Sequence, residues 1–352
     1  MSIVKPLTAN DIEIDDNEPE IDIEVMDEGE EPEVVVDEDG SVTVDFGGPE
    51  ELEEEPEGEH SENLVEYIDQ SDLEMIASDL IESFSTDRES RKDWAMSYIK
   101  GLDLLGMRTE DRSQPWQGAS GVFHPMLTEA VVRFQAQAMG ELMPSAGPAR
   151  SKIIGKVTPE KFEQSQRVEN ELNYLIVEEM PDYRDEMEQM LFKLPLAGSA
   201  FKKIYYDPLL ERPVSLFVPA EDFVISYGAS NLRTCPRFTH VMKKTPNEVL
   251  ELQVNGFYAD IELPEPVQDI TDIEEKYGEL DGSEHVGNDD DRHTILEMHV
   301  DIDLPEPFDD PDGIARPYVI TIDKSSTKIL SIRRNWREED QKKRKRMHFV
   351  HY

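Results

Sequence analysis

The sequence is short of cysteine, of long apolar runs and, over its first sixth, of positive charge. Cys235 is the only cysteine among 352 residues. An internal disulfide and a cysteine-based zinc site are therefore excluded, and the composition suits a reducing compartment. No run of 18 apolar residues occurs, so no membrane-spanning helix is expected. Residues 1–10 carry one lysine and no apolar stretch, so no secretory signal is expected there. Residues 1–60 hold 24 acidic side chains against Lys5 alone, and Phe46 is their only aromatic. Such a segment repels itself and buries too little apolar surface to offset its ordering entropy. Residues 1–62 are expected to be a disordered acidic tail. Its β-branched clusters (Ile12, Ile14, Ile21, Ile23, Val34 to Val36, Val42, Val44) offer short strands to a basic partner.

The whole chain holds 79 acidic and 35 basic residues, a formal charge of −44, and about half of that lies outside the tail. A protein that grips nucleic acid over its whole surface is basic, so the balance argues against one. It leaves room for a protein that lets DNA pass without holding it. The length allows two domains or three.

Hydrophobic spacing points to an α+β fold, with a helical block over 63–197 and a mixed, β-rich block over 198–352. Leu64, Ile68, Leu73, Ile76, Leu80 and Phe84 recur at helical spacing. Trp94, Tyr98, Ile99 and Leu102 continue the pattern after a polar break at 85–91, with Asp72 as a candidate N-cap and Gly101 and Gly106 as stops. Helices are also expected over 128–143, ending before Pro144, and over 159–180 and 182–194. From Gly198 the period becomes two. Strands are expected at 200–206, 214–218, 223–226, 238–243, 295–304, 318–323 and 328–333, with a small helix over 245–253. Residues 262–292, acidic and rich in Gly and Pro, are expected to be a surface excursion.

Few patterns carry chemistry. Gly155-Lys156 lacks a glycine-rich approach, so there is no phosphate-binding loop, and no G-x-G-x-x-G occurs. Gly118-Ala119-Ser120-Gly121 is one residue short of a nucleophile elbow and follows no strand. Glu297, His299, Asp301 and Asp303 alternate with Met298, Val300, Ile302 and Leu304. That puts one histidine and three carboxylates on one face of a strand. The arrangement is either a metal or proton-transfer site, as in a metal-dependent nuclease, or the solvated acidic face of a half-buried strand. His348 and His351 lack a third ligand nearby. Lys342, Lys343, Arg344, Lys345 and Arg346, with Arg333, Arg334 and Arg337 upstream and Trp336 among them, form a basic end. Five adjacent cations cannot all be buried, so the cluster is expected to be largely exposed. It would then contact DNA phosphates, pair with acidic surfaces of a neighbouring subunit, or simply be solvated.

Residues 112–148 (RSQPWQGASGVFHPMLTEAVVRFQAQAMGELMPSAGP) carry a resemblance. A Pro-Trp-x-Gly-Ala-Ser loop precedes a helix with Arg-Phe that ends at Leu-x-Pro: here Pro115, Trp116, Gly118, Ala119, Ser120, Arg133, Phe134, Leu142 and Pro144. The segment resembles portal proteins, the head-to-tail connectors of tailed double-stranded-DNA bacteriophages, of the podophage type. Pro219 to Phe223, the loop 227–232, Arg333 to Asp340 and His348 to Tyr352 extend the resemblance over residues 62–352.

The resemblance implies a ring-forming, non-enzymatic subunit without cofactor or metal, its β-rich block serving as a wing. The ring, of about twelve copies, sits at one capsid vertex, where DNA is packaged and later ejected. The implied partners are further copies of the chain, the terminase large subunit, the major capsid protein, a head-completion or tail adaptor protein and the passing DNA, with no membrane. The implied location is the virion, and the host cytoplasm during assembly. Portals of this kind continue into long tunnel-lining helices, so the chain is expected to correspond to the first part of a longer portal. Trp116, between Pro115 and Gly118, is expected to be buried under the following helix. The alternative from a different class is an acidic scaffolding or adaptor protein that binds basic partners and never meets DNA.

Overall fold

The computed structural model describes residues 33–36, 42–45, 60–106, 116, 118, 124–207, 210–267, 270–282 and 292–352. The chain divides into two units, Met1–Glu54 and Glu55–Tyr352. In the first, strands β1 (Glu33–Val36) and β2 (Val42–Asp45) pair antiparallel, with Val34 opposite Val44 and Val36 opposite Val42. Valine suits a pleated ladder, so these eight residues of the expected tail are paired. The rest of that segment, through residue 59, lies outside the described residues.

The second unit is α+β. It contains seven α-helices and eight strands in two antiparallel sheets among the described residues. A 3-10 turn (Leu64–Tyr67) leads into α1 (Gln70–Ser90) and α2 (Lys92–Leu105), which divide at the polar break. Asp69, not Asp72, stands at the N-cap of α1. Gly101 does not stop α2 but lies inside it, where a Cβ would come within 2.6 Å of Leu196 Cδ1. Its glycine serves a close helix approach rather than a helix end. Three helices follow: α3 (Met126–Leu142), α4 (Pro159–Tyr174), prolonged by a π turn (Leu175–Glu179), and α5 (Tyr183–Ala197).

The β-rich part begins with β3 (Phe201–Asp207) and β4 (Arg212–Val218), then β5 (Phe223–Ile225) and β6 (Arg237–Lys244). Helix α6 (Pro246–Val254) starts at a capping box in which the Thr245 hydroxyl accepts from Glu248 N–H and Glu248 accepts from Thr245 N–H. The expected surface excursion contains a helix, α7 (Asp272–Asp281), started by a second capping box at Thr271 and Glu274 and anchored by buried Ile273. The chain closes with β7 (His293–Ile302), β8 (Arg316–Asp323), β9 (Lys328–Arg334) and β10 (Phe349–His351).

The larger sheet has the order β5-β6-β7-β8-β9 and the smaller β10-β3-β4. Central strand β7 is covered on both faces. Leu296, Met298 and Val300 meet α1 through Ile76, Ala77, Leu80 and Phe84 in the largest core. On the opposite face, Ile295 and Leu330 of β9 pack with Val249 of α6 and with Tyr258. Farther along, Phe238 packs with Phe201 of β3 and Phe349 of β10. The terminal strand β10 is held by β3, with Phe349 opposite Lys203 and His351 opposite Phe201. Among the described residues, no helix is long and apolar enough to cross a membrane.

Candidate functional site

Three features of the sequence bear on function: the loop and helix of residues 112–148, the basic end, and the alternating strand. The first faces outward. Pro115, Ala119 and Ser120 lie outside the described residues. Trp116 is 70% exposed, against the expectation that it is buried. Ring area alone does not bury an aromatic: another surface must lie over it, and the described residues supply none. Gly118 adopts φ +90°, and a Cβ there would meet nothing within 4 Å. Arg133 pairs with Glu129 one turn away at 2.7 Å on the exposed side of α3, and Phe134 and Leu142 are more than two-fifths exposed. The helix ends at Leu142, with Met143 as its C-cap just before Pro144, as expected. The motif residues are neighbours along the chain, but they converge on no pocket.

Beyond α3 the exposure increases. Val131 is the one buried residue of α3, and α4 buries none. What fixes α4 is a polar strap. Ala149 N–H donates to Asn173 Oδ1 at 2.9 Å, and Asn173 Nδ2 donates to Ala149 O at 3.1 Å. Ser151 N–H donates to Glu169 Oε2 at 3.0 Å, and these bonds from Ser151 hold the Glu169 carboxyl below its ordinary range.

The basic end is largely exposed, as expected, but its five cations are not equivalent. Lys345 turns inward: Nζ lies 2.8 Å from Asp301 Oδ1, donates to Cys235 O at 2.8 Å, and leaves its side chain 10% exposed. This ammonium is accommodated because a carboxylate and a carbonyl meet it. Lys343 lies 5.7 Å from the ring centre of buried Trp336, and Arg344 pairs with Asp340 at 2.8 Å. Lys342, Arg344 and Arg346 remain exposed.

The alternating strand β7 keeps its predicted faces, but the acidic one is not solvated. The small sheet covers it. Lys203 of β3 donates to Glu297 Oε2 at 2.5 Å. His299 donates from Nε2 to Glu297 Oε1 at 3.3 Å, which leaves Nδ1 to accept from Asn335 Nδ2 at 3.5 Å. The His299 ring stacks on Phe238 with centroids 4.7 Å apart, and His348 lies 5.9 Å away. Burial alone would raise the Glu297 carboxyl, but Lys203, His299 and His240 outweigh it and hold it well below the ordinary range. Burial keeps the histidines neutral. His240 is pushed down to about 3 and His348 to about 4, and His299 is lowered against the pull of Glu297.

The four residues proposed as a metal set do not converge. Asp301 holds Lys345, and Asp303 Oδ1 accepts from Asp310 N–H at 3.0 Å. Among the described residues, no group of three or more His, Cys, Asp and Glu side chains is placed to hold a metal ion. One strand presents alternate residues in a row, and the elements that face them, among the described residues, bring Lys203 and Lys345 to their carboxylates.

Two further polar features have no signal in the sequence. A cleft of about 440 Å³ opens where α1 meets α2 and α7. In its wall Arg91 donates to Ala220 O and Phe223 O and lies over Trp94 at 4.3 Å. Asp222, also in that wall, is pushed up to about 7 by burial and by Glu221. The second feature is Lys202 of β3, 1% exposed, its Nζ without a hydrogen bond and 4.0 Å from the Tyr183 ring centre. Burial lowers its ammonium to about 8, against the pull of Glu186. The chain matches no protein-family model and no curated protein.

Proposed function

We propose that this chain is a portal-type subunit, a non-enzymatic piece of a ring at a capsid vertex through which double-stranded DNA is packaged and ejected. The observation that carries the reading is the outward display of the portal-like segment: Trp116, Phe134 and Leu142 stand exposed on an arm whose helix α4 buries nothing. A ring subunit needs such surface for its neighbours, whereas a free monomer gains nothing from it. The acidity supports the same reading, because a negative wall repels phosphates and lets DNA slide. In this reading the terminase large subunit, the major capsid protein and a tail adaptor dock on the assembled ring, and the motor supplies the energy. The exposed Lys342, Arg344 and Arg346 are then available to phosphates or to a neighbour's acidic surface.

Light scattering on the purified chain, with electron microscopy of the same sample, tests the proposal. Closed rings of about a dozen copies are the expected result. A monomer or dimer at every concentration rejects the ring and favours the acidic adaptor.

A further inference from the structure

We infer that the cleft where α1 meets α2 and α7 binds a small organic cation, a protonated amine on an aliphatic stem, with Asp222 as its counter-ion. The site goes beyond the ring reading and does not depend on it. The cleft, of about 440 Å³, has the size of a small-ligand pocket. Phe84, Trp94, Val224, Val241 and Ile270 give it an apolar wall, the surface that an aliphatic stem covers.

Charge pairing in the wall selects the ligand. The cations there are engaged. Arg91 donates to Ala220 O and Phe223 O, Lys92 pairs with Glu89 at 3.2 Å, Lys243 pairs with Glu274, and Arg88 and Lys324 also have partners. Among the carboxylates, Glu221 accepts from Lys193 at 2.8 Å and from Tyr277 at 3.0 Å, and Asp272 is exposed to water. Asp222 is the exception. It is half-buried in the 3-10 turn Ala220–Asp222, and among the described residues its carboxylate holds neither a hydrogen bond nor an ion pair. A shielded carboxylate without a donor is costly until a cation meets it. A guanidinium favours an aromatic face, but Arg91 already lies over Trp94 at 4.3 Å. An ammonium needs only the carboxylate. Burial pushes Asp222 up to about 7, with Glu221 and Glu274 of α7 adding to it and Lys193 of α5 and Lys243 of β6 opposing; Arg91 and Tyr98 of α2 also feel its charge. A bound ammonium favours the ionised form, so affinity rises with pH until Asp222 is ionised.

The test is calorimetric titration of the full chain with n-pentylamine in about 0.3 M salt, which screens loose attraction to a chain of charge −44. The amine stays protonated throughout the range used. The Kd is expected to be constant above about pH 8 and to rise about tenfold per pH unit below about 7. Carboxylates on the open surface titrate near about 4 and give no such step. Asp222→Asn is expected to weaken binding by about tenfold or more at about pH 8.5. Glu74→Gln, exposed on α1, is expected to bind as wild type. The pH step is read on the wild type and needs no folded variant. Nα-acetyl-lysine methylamide then identifies the source. Binding about tenfold tighter than that of pentylamine assigns the site to a lysine side chain of a partner, and equal or weaker binding assigns it to a free amine. No binding of pentylamine at on the order of 10 mM, a Kd without a step near pH 7, or equal binding by folded Asp222→Asn overturns the inference.

Discussion

Strand β7 and helix α4 are opposites in burial. Both mix apolar with charged residues: β7 carries Glu297 and Asp301, and α4 carries Glu160, Glu163, Glu169 and Glu171. In β7 every residue from His293 to Val300 is buried or nearly so, and its charged Glu297 is met by Lys203 and His299. In α4 nothing is buried, and apolar Val168 and Leu172 meet solvent. Burial here follows both the apolar content of the segment and what the neighbouring elements bring to it. The β-rich part buries its apolar faces against its own elements, and helix α4 does not.

Acid is expected to act most strongly on the β-rich part. His240 and His348 have folded values of about 3 and about 4, and His299 is also lowered. Below about pH 6.5 the unfolded chain takes up protons that the folded network refuses. Stability is thus fully present above that pH. It falls by up to about 1.4 kcal/mol per histidine per pH unit as pH drops toward about 4. Urea melts across this range check the slope, and His240→Leu should flatten it. A flat profile for wild type would show that the sheet junction is open to water after all.

Truncation sets the two regions side by side. Leu296→Ala, at a fully buried site, is expected to cost about 2–5 kcal/mol. Leu172→Ala is expected to change the stability of the dissociated subunit by less than about 0.5 kcal/mol. Equal losses at both sites, measured by denaturant unfolding in dilute solution, would break the comparison.

Lys202→Met should stabilise the fold by about 3 kcal/mol at pH 7, because an ammonium held at about 8 instead of 10.5 opposes folding whenever it is protonated. The folded chain sheds this proton before the unfolded chain does. Wild-type stability is therefore expected to rise between about pH 8 and 10.5, and melting temperatures of the variant should lack that rise. The smallest effect divides the basic end. Lys345→Gln is expected to cost about 1–3 kcal/mol, because Asp301 and Cys235 O are left without the ammonium that bonds them. Lys342→Gln is expected to cost less than about 0.5 kcal/mol. Thermal melts of the two single variants separate the inward lysine from the outward one.

Element types are legible in the sequence wherever spacing is regular. The helix over residues 128–143 and its stop before Pro144, the capping start at Thr245 and Pro246, and the hairpin of β8 and β9 all follow from local rules. Helix α7 escapes a reading by composition, because glycine and acidic residues around 262–292 resemble a turn, although Thr271 and Glu274 already spell a capping box. The alternation on β7 is readable, but not what covers it. Lys203 lies 94 residues from Glu297, and local spacing says nothing about the sheet that carries it there. Trp116 misleads for the converse reason: a large ring invites burial, but the sequence does not say which element would cover it. Lys345 reads as one of five equal cations, and only the approach of Asp301 and Cys235 distinguishes it.

Asn63 sets a limit on how this protein can be shortened. Its amide stands in for a further strand at the margin of β9, donating to Leu330 O at 3.1 Å and accepting from Ile332 N–H at 3.0 Å. Arg333 Nη1 donates to Ser61 O alongside, and the His60 ring bonds Trp336 O. An uncovered strand margin recruits other chains and leads to aggregation. A fragment begun at residue 60 keeps this cover, whereas one begun at residue 64 leaves Leu330 O and Ile332 N–H without the Asn63 amide.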